Sequence, residues 1–210
     1  MQTPIEDLQV RLNYLLFRRF TKAEVASILV RGGELFRLDT RTLDARLGFL
    51  LQQYALSAGQ LRAVVNWCPR LLTLTPMQVK KVTFSLEEEC GFSKAEIRSI
   101  LLAYPRLWRR YYGSPRTPPG RDLVRTFDYL HGEMGLAQEV IAKTPKIFSV
   151  RLPRIEARHR YLVALGRAQY DPTRPLYVPL TAFYELDDAE FCLRHAKTSV
   201  HDLNAFLKTM

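Results

Sequence analysis

Thirteen basic side chains in two short stretches are the residues of this chain best suited to chemistry. Residues 105–125 hold Arg106, Arg109, Arg110, Arg116, Arg121 and Arg125 against Asp122. Residues 143–167 hold Lys143, Lys146, Arg151, Arg154, Arg158, Arg160 and Arg167 against Glu156. The stretches carry +5 and +6 of a net charge of +10, so all other residues together come to −1. The chemistry is anion binding. A guanidinium presents paired donors that match two phosphate oxygens, and eleven of the thirteen are Arg. A basic stripe of this kind is the electrostatic footprint of a phosphate backbone. Solvated faces or acidic protein partners are the competing explanations. Arg158 stands apart because it falls within the apolar arc of its own helix, where a buried ion pair would suit it. The nucleic-acid candidates are therefore Arg106, Arg109, Arg110, Arg116, Arg121, Arg125, Lys143, Lys146, Arg151, Arg154, Arg160 and Arg167.

Tyr104, Trp108, Tyr111 and Tyr112 interleave with the first arginines, and such rings could stack on an exposed base. Trp108 instead reads as core, because it shares its repeat position with Leu72 and Phe148. Catalytic signals are weak. There is no glycine-rich phosphate loop, H-E-x-x-H, C-x-x-C or G-x-S-x-G. Cys192-x-x-His195 with His201 lacks a fourth ligand and reads as helix-surface residues, not a metal set. His159 could touch phosphate but has no general-base partner. The expectation is a chain that is not an enzyme, with no cofactor and no metal.

The elements that must position these residues are set by a repeat of about 36 residues. A turn residue, a charged residue and two large apolar residues recur as Gly33-Glu34-Leu35-Phe36, Pro69-Arg70-Leu71-Leu72, Pro105-Arg106-Leu107-Trp108 and Pro145-Lys146-Ile147-Phe148. The first three copies are 36 residues apart and the last follows at 40. Twelve residues before each of the first three sits a helix-starting box: Thr21-x-x-Glu24, Ser57-x-x-Gln60 and Ser93-x-x-Glu96. Behind the boxes, Val25, Ile28 and Leu29, then Leu61, Val64 and Val65, then Ile97, Ile100 and Leu101 share one helical face. Proline stops the helix, and its apolar pair reads as a short buried turn. A second helix opens behind another cap, such as Thr75-Pro76-x-Gln78, at a register marked by Leu43, Val79 and Ile155. Its stripe is Val79, Val82 and Leu86, and it ends at Cys90-Gly91.

The fold expectation is all-α: a right- or left-handed α-solenoid, or superhelix, of helix-turn-helix units over residues 1–210. Repeats cover about 20–166 and a helical C-terminal cap about 167–210. Ser114-Pro115-Arg116-Thr117-Pro118-Pro119-Gly120 reads as a surface loop inserted into the stack, not as a domain boundary. In the cap, Asp187-x-x-Glu190 and Ser199-x-x-Asp202 each start a short helix. No run of 18 apolar residues crosses a membrane. Cys68, Cys90 and Cys192 are far apart and odd in number, which suits buried reduced thiols. The first twenty residues contain Glu6 and Asp7 in a helical pattern and do not read as an organelle targeting peptide.

From Phe20 to Gly166 this unit resembles the mitochondrial transcription termination factor (mTERF) family, most clearly in Cys68-Pro69-Arg70-Leu71-Leu72 and Tyr104-Pro105-Arg106-Leu107-Trp108. Arg158-His159, the run Leu165-Gly166-Arg167-Ala168-Gln169-Tyr170-Asp171-Pro172 and the ending Phe206-Leu207-Lys208-Thr209 narrow the resemblance to one vertebrate branch of the family. Gly33 stands where the other copies have Pro, so no base-contacting position is carried over. The resemblance implies a basic concave face that holds nucleic acid in the mitochondrial matrix. It further implies repression of transcription on mitochondrial double-stranded DNA, with a role in ribosome biogenesis. The chain is expected to be a monomer; binding of mitochondrial ribosomal RNA in ribosome assembly, or a non-catalytic protein scaffold, are the alternatives.

Overall fold

Most helices of the repeats begin where a hydroxyl or carboxylate closes on the first turn of amides. In a computed structural model, which describes residues 5–113 and 118–209, the boxes at Thr21, Ser57, Thr75, Ser93 and Ser199 all form reciprocally. The Ser93 amide donates to Glu96 at 2.9 Å, and each such cap stabilises its helix by about 1 kcal/mol. The chain divides into two compact units, Met1–Asp122 and Leu123–Met210. Arg116 and its neighbours 114–117 in the inserted loop lie outside the described residues.

The first unit runs through α1 (Ile5–Phe17), α2 (Lys22–Gly32), α3 (Thr40–Gln53), α4 (Ala58–Trp67), α5 (Pro76–Phe84), α6 (Lys94–Ala103) and α7 (Arg106–Tyr111). The motif turns after α2 and α4 are 3-10 helices, Gly33–Arg37 and Pro69–Thr73, with Leu35, Phe36, Leu71 and Leu72 buried. The third copy departs from this. It continues as α7, with the helical Arg110-Tyr111 standing where the other copies place an extended residue and a helix cap. Leu29 departs too: Val25 and Ile28 are buried, but Leu29 is partly exposed at the edge of that stripe.

The residue before each motif is bent out of the helical region: Gly32 (φ −146°), Cys68 (φ −131°) and Tyr104 (φ −149°). For the latter two, the following proline imposes the bend. Gly32 needs no proline behind it but must be glycine, since a Cβ there would lie 2.6 Å from Cβ of Pro69. One repeat's backbone is thus seated directly on the next repeat's proline.

The second helices end at Arg19 (φ 67°), Ala55 (φ 47°) and Gly91 (φ 74°), all left-handed and 36 residues apart. After each, a buried apolar residue (Phe20, Leu56, Phe92) donates its amide back to the helix. Glycine was readable at Gly91. The other two copies pay the left-handed penalty with a side chain and so left no mark in the sequence.

At the centre of this unit Thr83 is fully used. Its hydroxyl donates to the Val79 carbonyl at 2.9 Å, meets the Tyr54 hydroxyl at 2.6 Å and accepts from Trp108 Nε1 at 3.0 Å. Trp108 packs edge-on against Tyr54 and is wholly buried, as its repeat position implied.

The second unit comprises most of α8 (Arg121–Asp128), then α9 (Gln138–Lys143), the 3-10 motif turn Pro145–Ser149, α10 (Leu152–Ala164), α11 (Thr181–Tyr184), α12 (Asp188–Phe191) and α13 (Val200–Leu207). Left-handed helix ends recur at Gly135, Gly166 and Lys197, 31 residues apart, so the helix-end geometry persists where the sequence pattern fades. Arg158 fastens α10 to the C-terminal helices. It donates to Ala182 O (2.7 Å), Leu186 O (2.8 Å) and Asp188 Oδ1 (2.6 Å), and lies 4.5 Å from the Phe191 ring centroid. Burial alone would push the Asp188 carboxyl up, but hydrogen bonds from Arg158 and Arg154 outweigh it and hold the group below the usual range.

Two predictions follow from these contacts. Ala55→Gly should raise stability in urea by about 1 kcal/mol, and Gly91→Ala lower it by a similar amount; unmoved midpoints would refute the left-handed helix end. Arg158→Leu takes the side-chain donor from the Ala182 and Phe183 carbonyls, leaves Asp188 and the Leu186 carbonyl to Arg154 alone, and should cost about 3 kcal/mol. A carboxyl held low contributes stability above its unfolded value, so the pair's share is lost as pH falls below about 4. A pH-stability profile in which Asp188→Asn removes part of the acid slope checks this.

Candidate nucleic-acid interface

The motif turn decides where the charges go. In the three proline copies its first, third and fourth residues are buried, so the second is left at the surface: Arg70, Arg106 and Lys146 are all exposed there. Glu34 holds the same position in the first copy. In the first unit this row opens onto a cleft of about 550 Å³ lined by Arg31, Arg70, Arg106, Arg109, Arg110 and the rings of Trp67 and Tyr104. Cys68 and Pro69 form its floor.

The cleft follows the line where each first helix hands over to its motif. Arg31 sits in the last turn of α2, Trp67 ends α4, Tyr104 follows α6, and Arg106, Arg109 and Arg110 lie on α7. Arg31 is placed by the carbonyl oxygen of the Asn66 side chain at 3.0 Å and by Ser27. Trp67 and Tyr104 meet edge to face, their centroids 6.5 Å apart. Arg109 lies over the Tyr112 ring at 5.3 Å and Arg110 over Tyr111 at 5.5 Å. Burial pushes the Cys68 thiol and the Tyr104 phenol up, although neighbouring arginines oppose it. Both groups therefore stay neutral near pH 7, and the cleft's charge is that of its guanidiniums. The arrangement can bind oxyanions and lay a flat ring against an aromatic wall.

The structure thus brings together Arg106, Arg109 and Arg110 of the expected residues and adds Arg31, Arg70 and Trp67. The periodicity held the signal for these: Arg70 is 36 residues before Arg106, and Trp67 is 36 after Arg31. Each stands outside a charge-dense stretch, so charge density alone does not point to it. Arg121 and Arg125 are exposed on α8. Tyr111 is buried with Trp108, so neither ring is available to a base.

In the second unit Lys143 ends α9, Lys146 lies in the motif turn and Arg151 caps α10, which is the same junction in the fourth copy. All three are exposed. Arg160 is exposed beside the Tyr129 hydroxyl, and Arg167 is half-buried after the left-handed Gly166. Arg154 is committed to Asp188 at 3.1 Å. His159 is not a phosphate contact: it is buried, hydrogen-bonded to the Tyr129 hydroxyl at 3.1 Å and edge-on to Tyr170, and burial holds its imidazole below the usual value. Among the described residues no His, Cys, Asp and Glu converge on a common metal position, and no helix is long and apolar enough to cross a membrane.

Residues 3–191 match the family model of mTERF. The chain is 34% identical over 205 residues to mitochondrial transcription termination factor 3 of Drosophila melanogaster, covering 98% of this chain and 56% of that protein. It is 36% identical over 206 residues to the Rattus norvegicus protein of the same name, covering 98% and 48%. Mitochondrial transcription termination factor 4 of Mus musculus is 26% identical over 200 residues, covering 93% and 55%. The chain spans about half the length of these relatives.

Placement separates the candidate cations into two classes. Arg106→Gln should lower the salt needed to elute the chain from heparin without shifting its melting point. Arg154→Gln should lower the melting point, by up to about 1 kcal/mol of stability, with less effect on elution. The reverse pattern would show that the cleft is not the anion surface.

Proposed function

The chain belongs to the mTERF family, and from that premise we propose that it is a non-catalytic nucleic-acid-binding regulator of mitochondrial gene expression. It acts in the mitochondrial matrix as a monomer, holding double-stranded DNA through the cations of its motif junctions and lowering transcription. The observation that carries this reading lies in the first unit, where Arg70 and Arg106 are exposed between buried motif residues and line a five-arginine cleft; Lys146 is exposed at the equivalent position of the second unit. The relatives' names supply the mitochondrion and transcription. Arg151, Arg160, Arg167, Lys143, Arg121, Arg125 and Arg116 extend the phosphate-contacting set. Affinity then arises mainly from counterion release, which is indifferent to sequence.

A second reading, ribosomal RNA during ribosome assembly, is favoured by Trp67 and Tyr104 in the cleft wall. Unpaired bases reach aromatic walls more readily in RNA loops than in duplex DNA.

Salt-titrated binding of the chain to duplex DNA and to structured RNA of equal charge tests both. The expected result is that the logarithm of the duplex affinity falls linearly with the logarithm of salt, by about 0.9 per phosphate neutralised. Arg70→Glu with Arg106→Glu should weaken all duplex sequences alike. Preference for RNA would move the function to ribosome assembly, and salt-independent binding would overturn the polyanion reading.

A further inference from the structure

Glu34 is an acid in a row of bases. By register it occupies the position of Arg70 and Arg106 in the following copies. Its carboxylate oxygen Oε1 lies 3.2 Å from Arg70 Nε and 3.9 Å from Arg109 Nη2, so it reaches two of the five arginines that line the cleft. The ion pair is poorly satisfied. Glu34 Oε1 and Arg109 Nε are both buried without a hydrogen-bond partner among the described residues. A carboxylate held by charge at these distances, with a donor beside it unused, is easily exchanged for an anion with more oxygens. A phosphodiester presents two non-bridging oxygens and matches a guanidinium fork bidentately.

We propose that Glu34 is a built-in competitor for nucleic-acid phosphates: its carboxylate holds Arg70 and Arg109 until a phosphodiester displaces it. The inference rests on the polyanion reading above and deepens it. An intramolecular carboxylate acts at millimolar effective concentration or higher, so a single free anion at low concentration competes poorly. A backbone that is simultaneously held by Arg106 and Arg110 delivers its next phosphate at comparable effective concentration and displaces the carboxylate. Glu34 therefore discriminates between an extended polyanion and isolated phosphates or mononucleotides. It also lowers the number of counterions that the free cleft holds, because two of its guanidiniums are already paired.

The test compares the wild-type chain with Glu34→Gln, Arg70→Gln, the double variant and Glu88→Gln, each titrated with labelled duplex DNA over a range of salt. Glu88 is an exposed acid of the same unit that does not line the cleft, and its substitution controls for the added net charge. Glu34→Gln should tighten duplex binding by about three- to tenfold at ~50 mM salt and steepen the salt slope by about one to two. In the Arg70→Gln background at least half of that gain should vanish. Inorganic pyrophosphate, used as a second probe, should bind Glu34→Gln more tightly than wild type. If Glu34→Gln behaves like Glu88→Gln in affinity and slope, the inference is overturned, while salt-steep binding by wild type leaves the functional reading standing. Salt-independent binding by wild type overturns both.

Discussion

The constraint on which the rest depends is burial of the motif turn. A tight turn with about three residues per revolution cannot hide all of its side chains. When Pro69, Leu71 and Leu72 go inward, Arg70 must go outward, and the same is true of Lys146 between Pro145 and Ile147. Core formation and charge display are then one event. Each buried apolar pair contributes roughly 3–6 kcal/mol of transfer free energy, far more than an exposed cation costs. The row of charges is therefore held by the core rather than by its own ion pairs. That explains why it keeps its place whether the position holds Arg, Lys or, in the first copy, Glu.

Contact between successive repeats depends on the same turn. Gly32 lets the backbone of the first copy rest on Pro69 of the second, which brings Arg31 and Glu34 within reach of Asn66 and Arg70. Behind this surface the Thr83, Tyr54 and Trp108 network satisfies each of its polar atoms and fixes α5 against α7. The arginines of α7 are positioned by a helix whose opposite face is locked. In the second unit Arg158 performs a comparable fastening, with charge used for structure instead of for a ligand.

Most of the architecture was legible in the sequence because it rests on local chemistry. Capping hydroxyls, prolines and apolar spacing announce themselves wherever they occur, and the boxes at Thr21, Ser57, Thr75, Ser93 and Ser199 all formed. The buried role of Arg158 was readable from its place in an apolar arc. What escaped depended on tertiary geometry. Ala55 and Arg19 adopt a glycine-like conformation without glycine, and α7 outgrew the expected turn. The cleft was half legible: charge density pointed to Arg106, Arg109 and Arg110, but Arg31, Arg70 and Trp67 join it only through stacking of consecutive copies. Charge density also enrolled Arg154, which serves an ion pair, since composition does not distinguish a paired cation from an available one.

The central claim is that the second residue of the motif turn and the cleft beside it form the polyanion surface. Arginine-selective labelling with phenylglyoxal, read by mass spectrometry with and without saturating duplex DNA, tests it most directly. The account predicts strong protection of Arg70, Arg106 and Arg109, with Arg41 and Arg194 labelled equally in both states. Protection spread evenly over all exposed arginines, or absent from those three, would contradict it.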